Sequence, residues 1–121
     1  MLEPGTILTH EGPKVQVIQQ SDDGACATFA IADEDHTIGN ALRYIIMKNP
    51  KVSFAAYTLP HPSETRLNLR IQTDGSQSPK DALMKGLDDL EIVFQHLHDS
   101  FKAELAGGSF EILDGADPSA E

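Results

Sequence analysis

The segment "SPKDALMKGLDDLEIVFQHLHDSFKAEL", Ser78 to Leu105, constrains this chain more than any other. Leu83, Leu87, Leu90, Phe94, Leu97 and Phe101 follow one another at alternating spacings of four and three. That period puts them on one stripe of an α-helix. Ser78 suits the N-cap, Pro79 the first helical position, and Asp81 complements the helix dipole. Gly107-Gly108 marks the stop. A helix of about 25 residues is roughly 38 Å long. Strands of about seven residues, the length read below, span only about 23 Å. A stripe that stays apolar for the whole helix is expected to overhang its own sheet, so something outside the domain should cover the excess.

The strands come from the rest of the chain. "KVQVIQQSDDGACATFAIAD" reads as a hairpin, with Val15 and Val17 alternating with polar residues. Ser21-Asp22-Asp23-Gly24 supplies the turn, and Gly24 can take positive φ. Ala27, Phe29 and Ile31 fall on one face of the returning strand. "VSFAAYTL" and "RLNLRIQT" read as two more strands, joined by "PHPSET", whose two prolines keep it out of a sheet interior. Leu67, Leu69 and Ile71 alternate with Arg66, Asn68, Arg70 and Gln72, which predicts one buried and one wet face. Between the strand pairs, Thr37 to Asn49 reads as a helix. Ile38, Leu42, Ile45, Ile46 and Asn49 share one face, His36 or Thr37 supplies the N-cap, and Pro50 ends it.

The order β-β-α-β-β-α predicts an α+β fold. It is a single two-layer α/β sandwich, with an antiparallel sheet of about four strands and two helices, the C-terminal one long. With 121 residues, one domain is expected, over 14–106. Residues 1–13, with Pro4, Gly5, Gly12 and Pro13, read as a flexible lead-in. Residues 107–121 read as a mostly mobile acidic tail.

Charge and composition exclude several function classes. The formal net charge is −10 and Trp is absent. A free-standing nucleic-acid binder normally carries a basic stripe, because phosphate neutralisation supplies most of its affinity. If this chain works near nucleic acid, a partner makes the contact. Cys26 is the only cysteine, which rules out an intrachain disulfide and a Cys-rich zinc site and suits a reducing compartment. No apolar run of about 18 residues and no signal-peptide pattern is visible. An intracellular protein without membrane attachment is expected.

The stretch "EDHTIGNALRYIIMKNP" holds the one candidate for chemistry. Asp35 and His36 could form an acid–base pair. Equally, acids at a helix entrance favour the macrodipole, and nothing else in the chain supplies a nucleophile with an orienting partner. A calcium loop fails, because Gly39 comes one place late and Tyr44 stands where a bidentate Glu is needed. His96 and His98, two apart on a helix, do not face each other, and His61 lies in the proline turn. No catalytic residue, metal or cofactor is therefore expected. Gly39 and Gly86 sit inside helices at a cost of about 1 kcal/mol each. Close approach of another backbone is the favoured reason at Gly39; at Gly86 it stands level with simple tolerance.

"HTIGNALR" resembles the α-type subunits of multisubunit RNA polymerases, whose bacterial members carry H-T-L-G-N-A-L-R-R on the first helix. Tyr44 replaces the second Arg, so the large-subunit contact of that Arg does not transfer. "LRYIIMKNP", "HPSE", "LNLRIQT" and "DALMKGLDDL" resemble the small α-like subunits shared by RNA polymerases I and III. The RNA polymerase II counterparts share "EDHT-GN", the H-P turn and "RIQT". The resemblance spans about residues 28 to 105, leaving the lead-in and tail unassigned.

It implies a non-catalytic assembly subunit that pairs with a larger α-like subunit. The pair forms the platform for the two catalytic large subunits, in support of rRNA, 5S rRNA and tRNA transcription. In the family, the first and last helices make the dimer. The implied partner residues are Ile38, Leu42, Ile45, Ile46, Leu83, Leu87, Leu90, Phe94, Leu97 and Phe101, some of which must instead cover the chain's own sheet. His36, Thr37, Asn40 and Arg43 are candidates for contact with a neighbouring subunit. The implied location is the nucleus, including the nucleolus. Two rival readings stand beside this one: the equivalent subunit of RNA polymerase II, and a small acid–base enzyme using Asp35 and His36.

Overall fold

The computed structural model describes residues 12–108 and 110–113; most of the lead-in and the tail from residue 114 on lie outside them. The chain runs β1 (Val15–Gln20), β2 (Cys26–Ala32), α1 (His36–Met47), β3 (Val52–Thr58), β4 (Arg66–Thr73) and α2 (Pro79–Gly107). The four strands form one antiparallel sheet in the order β1-β2-β4-β3. This is the α+β, two-layer architecture expected from the sequence.

The period-2 pattern of β4 sets the core. Leu67, Leu69 and Ile71 are fully buried, and they sit opposite Ile31, Phe29 and Ala27 of β2. Cross-strand partners share a face, so these side chains make one apolar layer. Leu42 and Ile46 of α1 and Ala82 and Leu83 of α2 close over it. The β1–β2 turn forms as its residues dictate. Gly24 takes φ +74°, Ser21 Oγ donates to Asp23 Oδ1 at 2.6 Å, and Ala25 N donates to the same oxygen at 3.0 Å.

Two boundaries differ from expectation, and one strand is barer than its pairing suggests. Asp35, not His36 or Thr37, caps α1: its backbone is extended and its carboxylate accepts from Thr37 N at 3.0 Å. A carboxylate one residue upstream reaches the first free N–H groups better than the imidazole or hydroxyl inside the first turn. α1 ends at Met47 instead of Asn49. Asn49 is buried outside the helix, where it donates to Gln77 Oε1 at 2.8 Å and accepts from Lys51 N at 3.0 Å. Val15 and Val17 pair with the core residues Ile31 and Phe29, yet remain about half exposed. β1 is the sheet edge, and neither helix covers them there.

α2 begins as its sequence predicts, with Asp81 N donating to Ser78 Oγ at 3.1 Å. It ends at Gly107, and Gly108 adopts φ +64°, where a residue without Cβ is favoured. The described chain forms two compact units, one up to Leu90 and one from Glu91 on.

Candidate partner interface

The acidic entrance to α1 is structural. The Asp35 carboxylate is committed to the helix cap, and His36 Nδ1 lies 2.9 Å from Tyr57 Oη. Each candidate for an acid–base dyad is thus engaged with a different partner. Thr37 and Asn40 are exposed beside them, and Arg43 is half-buried, its Nη2 donating to Asn40 Oδ1 at 3.5 Å.

Two glycines fix how α1 packs. A Cβ on Gly86 would lie 2.5 Å from Ile46 Cγ1, so the two helices approach closely where α2 carries no side chain. A Cβ on Gly39 would lie 2.7 Å from the Tyr57 ring and 2.9 Å from Leu67 Cδ1. The neighbour that Gly39 admits is therefore a side chain of the chain's own sheet, not the backbone that the sequence suggested.

The apolar helix residues divide into three groups. Leu42, Ile46 and Leu83 lie in the chain's own core, at 1%, 0% and 5% exposure. Ile38, Ile45 and Leu90 are half-buried against it. Leu87 is exposed at its margin. With Val15, Ile31, Glu34 and Lys14, residues Ile38, Leu42, Leu83 and Leu87 line an apolar hollow of about 260 Å³.

The third group lies in the second compact unit, where every described residue of α2 from Glu91 on is exposed. Phe94, Leu97 and Phe101 stand at 51%, 61% and 64%. They line an open hollow of about 530 Å³ with His98, Lys102 and Leu105. Leu105 extends the stripe by one more step of four and was missed by stopping at Phe101. Ile92 and Val93, exposed as well, widen it. The rule of four would have found Leu105; Ile92 and Val93 have no such signal. Contiguous exposed apolar surface of this kind is uncommon on a protein that works alone. Among the described residues no three His, Cys, Asp or Glu side chains group as metal ligands, and no helix is long and apolar enough to cross a membrane.

Residues 26–100 match the family model described as the RNA polymerase Rpb3/Rpb11 dimerisation domain. The chain is 48% identical over 92 residues to the Dictyostelium discoideum DNA-directed RNA polymerases I and III subunit rpc19, covering 76% of this chain and 78% of that one. It is 58% identical over 79 residues to the RNA polymerases I and III subunit RPAC2 of Saccharomyces cerevisiae, covering 64% of this chain and 56% of that longer one. Identity to the D. discoideum RNA polymerase II subunit rpb11 is 34% over 95 residues, covering 78% of this chain and 79% of that one. The fold is similar to that of RNA polymerase subunit L from Thermoplasma acidophilum, with a TM-score of 0.65 at 21% identity, covering 81% of this chain and 96% of that one.

Proposed function

The chain belongs to the RNA polymerase Rpb3/Rpb11 dimerisation-domain family, and from that premise we propose that it is a non-catalytic assembly subunit of RNA polymerases I and III. The observation that carries the pairing role is the uncovered stripe of α2: Phe94, Leu97 and Phe101 are each at least half exposed, although their spacing is that of a buried helix face. A larger α-like subunit covers that stripe, together with Leu87, Leu90, Ile38 and Ile45. Leu42, Ile46 and Leu83 act from behind, by holding the two helices on the sheet. His36, Thr37, Asn40 and Arg43, at the start of α1, face a neighbouring subunit. The resulting heterodimer is the platform on which the two large catalytic subunits assemble.

Sharing between polymerases I and III is supported by identity. Within D. discoideum alone, the subunit named for polymerases I and III is 48% identical and the polymerase II subunit 34%. The net charge of −10 fits a subunit whose neighbours hold the nucleic acid. The work site is the nucleus, and for polymerase I the nucleolus, in support of rRNA, 5S rRNA and tRNA synthesis. Native purification of the tagged chain tests this. The expected companions are one larger α-like subunit and the large subunits of both polymerases. Recovery of polymerase II subunits, or of only one of the other two enzymes, would reject the reading.

A further inference from the structure

The sheet face turned away from the helices has its own chemistry. The chain has 19 acidic residues, yet its four strands contain none. The only charges in the strands are Arg66 and Arg70. Both point outward, because the alternating Leu67, Leu69 and Ile71 are buried under the helices. Among the described residues, neither arginine has an ion-pair partner. Arg66 Nε and Asn68 Oδ1, both shut off from solvent, also lack a hydrogen-bond partner among them. In a chain with twice as many acids as bases, two unpaired arginines on an acid-free face point to carboxylates from elsewhere.

The floor around them is low. Arg66 lies across from Ala32, and Arg70 across from Thr28 on one side and Ala56 on the other. Small side chains let a partner backbone come close. Beside Arg70 the surface dips into a hollow of about 100 Å³ lined also by Gln19 and Thr28, whose amide and hydroxyl can donate to an anion. The rims are different. Asp22, Asp23 and Asp74 stand at one end of the strands, and Asp33, Glu34 and Glu64 at the other. Serine hydroxyls hold Asp23 and Asp74 below the usual carboxylate range, so that end stays ionised. A long polyanion lying along the strands would meet both acidic rims. A short segment that lies along β4 and ends within it would reach both arginines, which stand about 13 Å apart on that strand.

We propose that this outer sheet face docks a short extended acidic segment of a partner protein, which lies along β4 with its carboxylates on Arg66 and Arg70. Guanidinium forks bind carboxylates in two-point fashion, which sets the position of the segment as well as its affinity. The site is separate from the apolar stripe of α2, and it does not depend on which polymerase the chain serves.

A photo-cross-linking amino acid, p-benzoylphenylalanine, placed at exposed Gln72 tests this in the natively assembled full-length protein. Mass spectrometry then identifies the attached segment, and the companions bound through α2 are scored in the same sample, so the two readings fail separately. The expected product is a peptide with at least two carboxylates within a few residues. Arg66→Glu/Arg70→Glu should lower its yield at least tenfold, and Arg66→Gln/Arg70→Gln should lower it in the same direction, with the α2 companion retained and the melting temperature unchanged. A cross-link to nucleic acid, to a neutral or basic peptide, or to nothing would overturn the proposal. So would a yield that neither double variant moves.

Discussion

Two stretches of α2 carry the same apolar period and are covered differently. From Pro79 to Leu90 the stripe is used by the chain itself: Ala82 and Leu83 are buried, Gly86 admits Ile46, and Leu90 packs against the core. From Glu91 to Gly107 no residue is buried. Apolar spacing therefore states that a helix face will be covered, but not by whose atoms.

Leu97→Asp acts in the uncovered stretch. It removes roughly 1.5–3 kcal/mol of burial in the complex and places a carboxylate in an apolar contact, at a cost of several kcal/mol more. Affinity for the larger subunit should fall by at least about 4 kcal/mol, or roughly a thousandfold, in a titration. Melting of the chain alone should not change, and a lowered melting temperature would show that Leu97 already serves the chain's own fold. Leu67→Ala is the opposite case. It empties a fully buried site and should cost about 2–5 kcal/mol in urea unfolding.

Gly86→Ala is next. Its Cβ would meet Ile46 Cγ1 at 2.5 Å, and overpacking of this kind costs roughly 1–3 kcal/mol. Gly107→Ala, with nothing within 4 Å of the new Cβ, should be neutral or stabilising by less than about 1 kcal/mol. Equal effects of the two in thermal melts would erase the contrast between the ends of α2. Asp35→Ala removes the α1 cap and should cost about 1 kcal/mol of stability, with no effect on nucleotide addition by the assembled enzyme. Abolished nucleotide addition in a fully assembled enzyme would restore the catalytic reading of Asp35 and His36.

The smallest effect is one of pH. Ser76 holds the Asp74 carboxyl below its usual range. Its stabilising contribution is fully present above the unfolded value near 3.8 and is lost as pH falls through the lower folded value. Asp74→Asn should therefore lower stability slightly at neutral pH and flatten the acid limb, so that the two chains converge as pH falls. A difference that persists in acid, where the carboxyl is protonated, would assign Asp74 another role.

Much of this was legible in the residues. The alternation in β4 and the four-three stripe of α2 name their own elements, since each period matches one backbone geometry. The division of the stripe was not legible, because Leu83 and Leu97 are the same residue type on the same face. The cap was missed because Asp35 and Thr37 both have suitable oxygens, and only the extended backbone of Asp35 decides between them. Gly39 gave the right expectation of close packing and the wrong neighbour, since the Tyr57 ring arrives from a strand 18 residues away in the chain. Nor does a pattern that fixes the inner face of β4 say that Arg66 and Arg70, on its outer face, lack ion-pair partners among the described residues.

The open stripe of α2 also has a consequence for supply. A chain made in excess of its companion presents Phe94, Leu97 and Phe101 to chaperones and proteases that select exposed apolar side chains. Its steady-state abundance should then be set by the amount of companion, not by its own rate of synthesis, so that surplus copies are cleared and the two gene products stay in step.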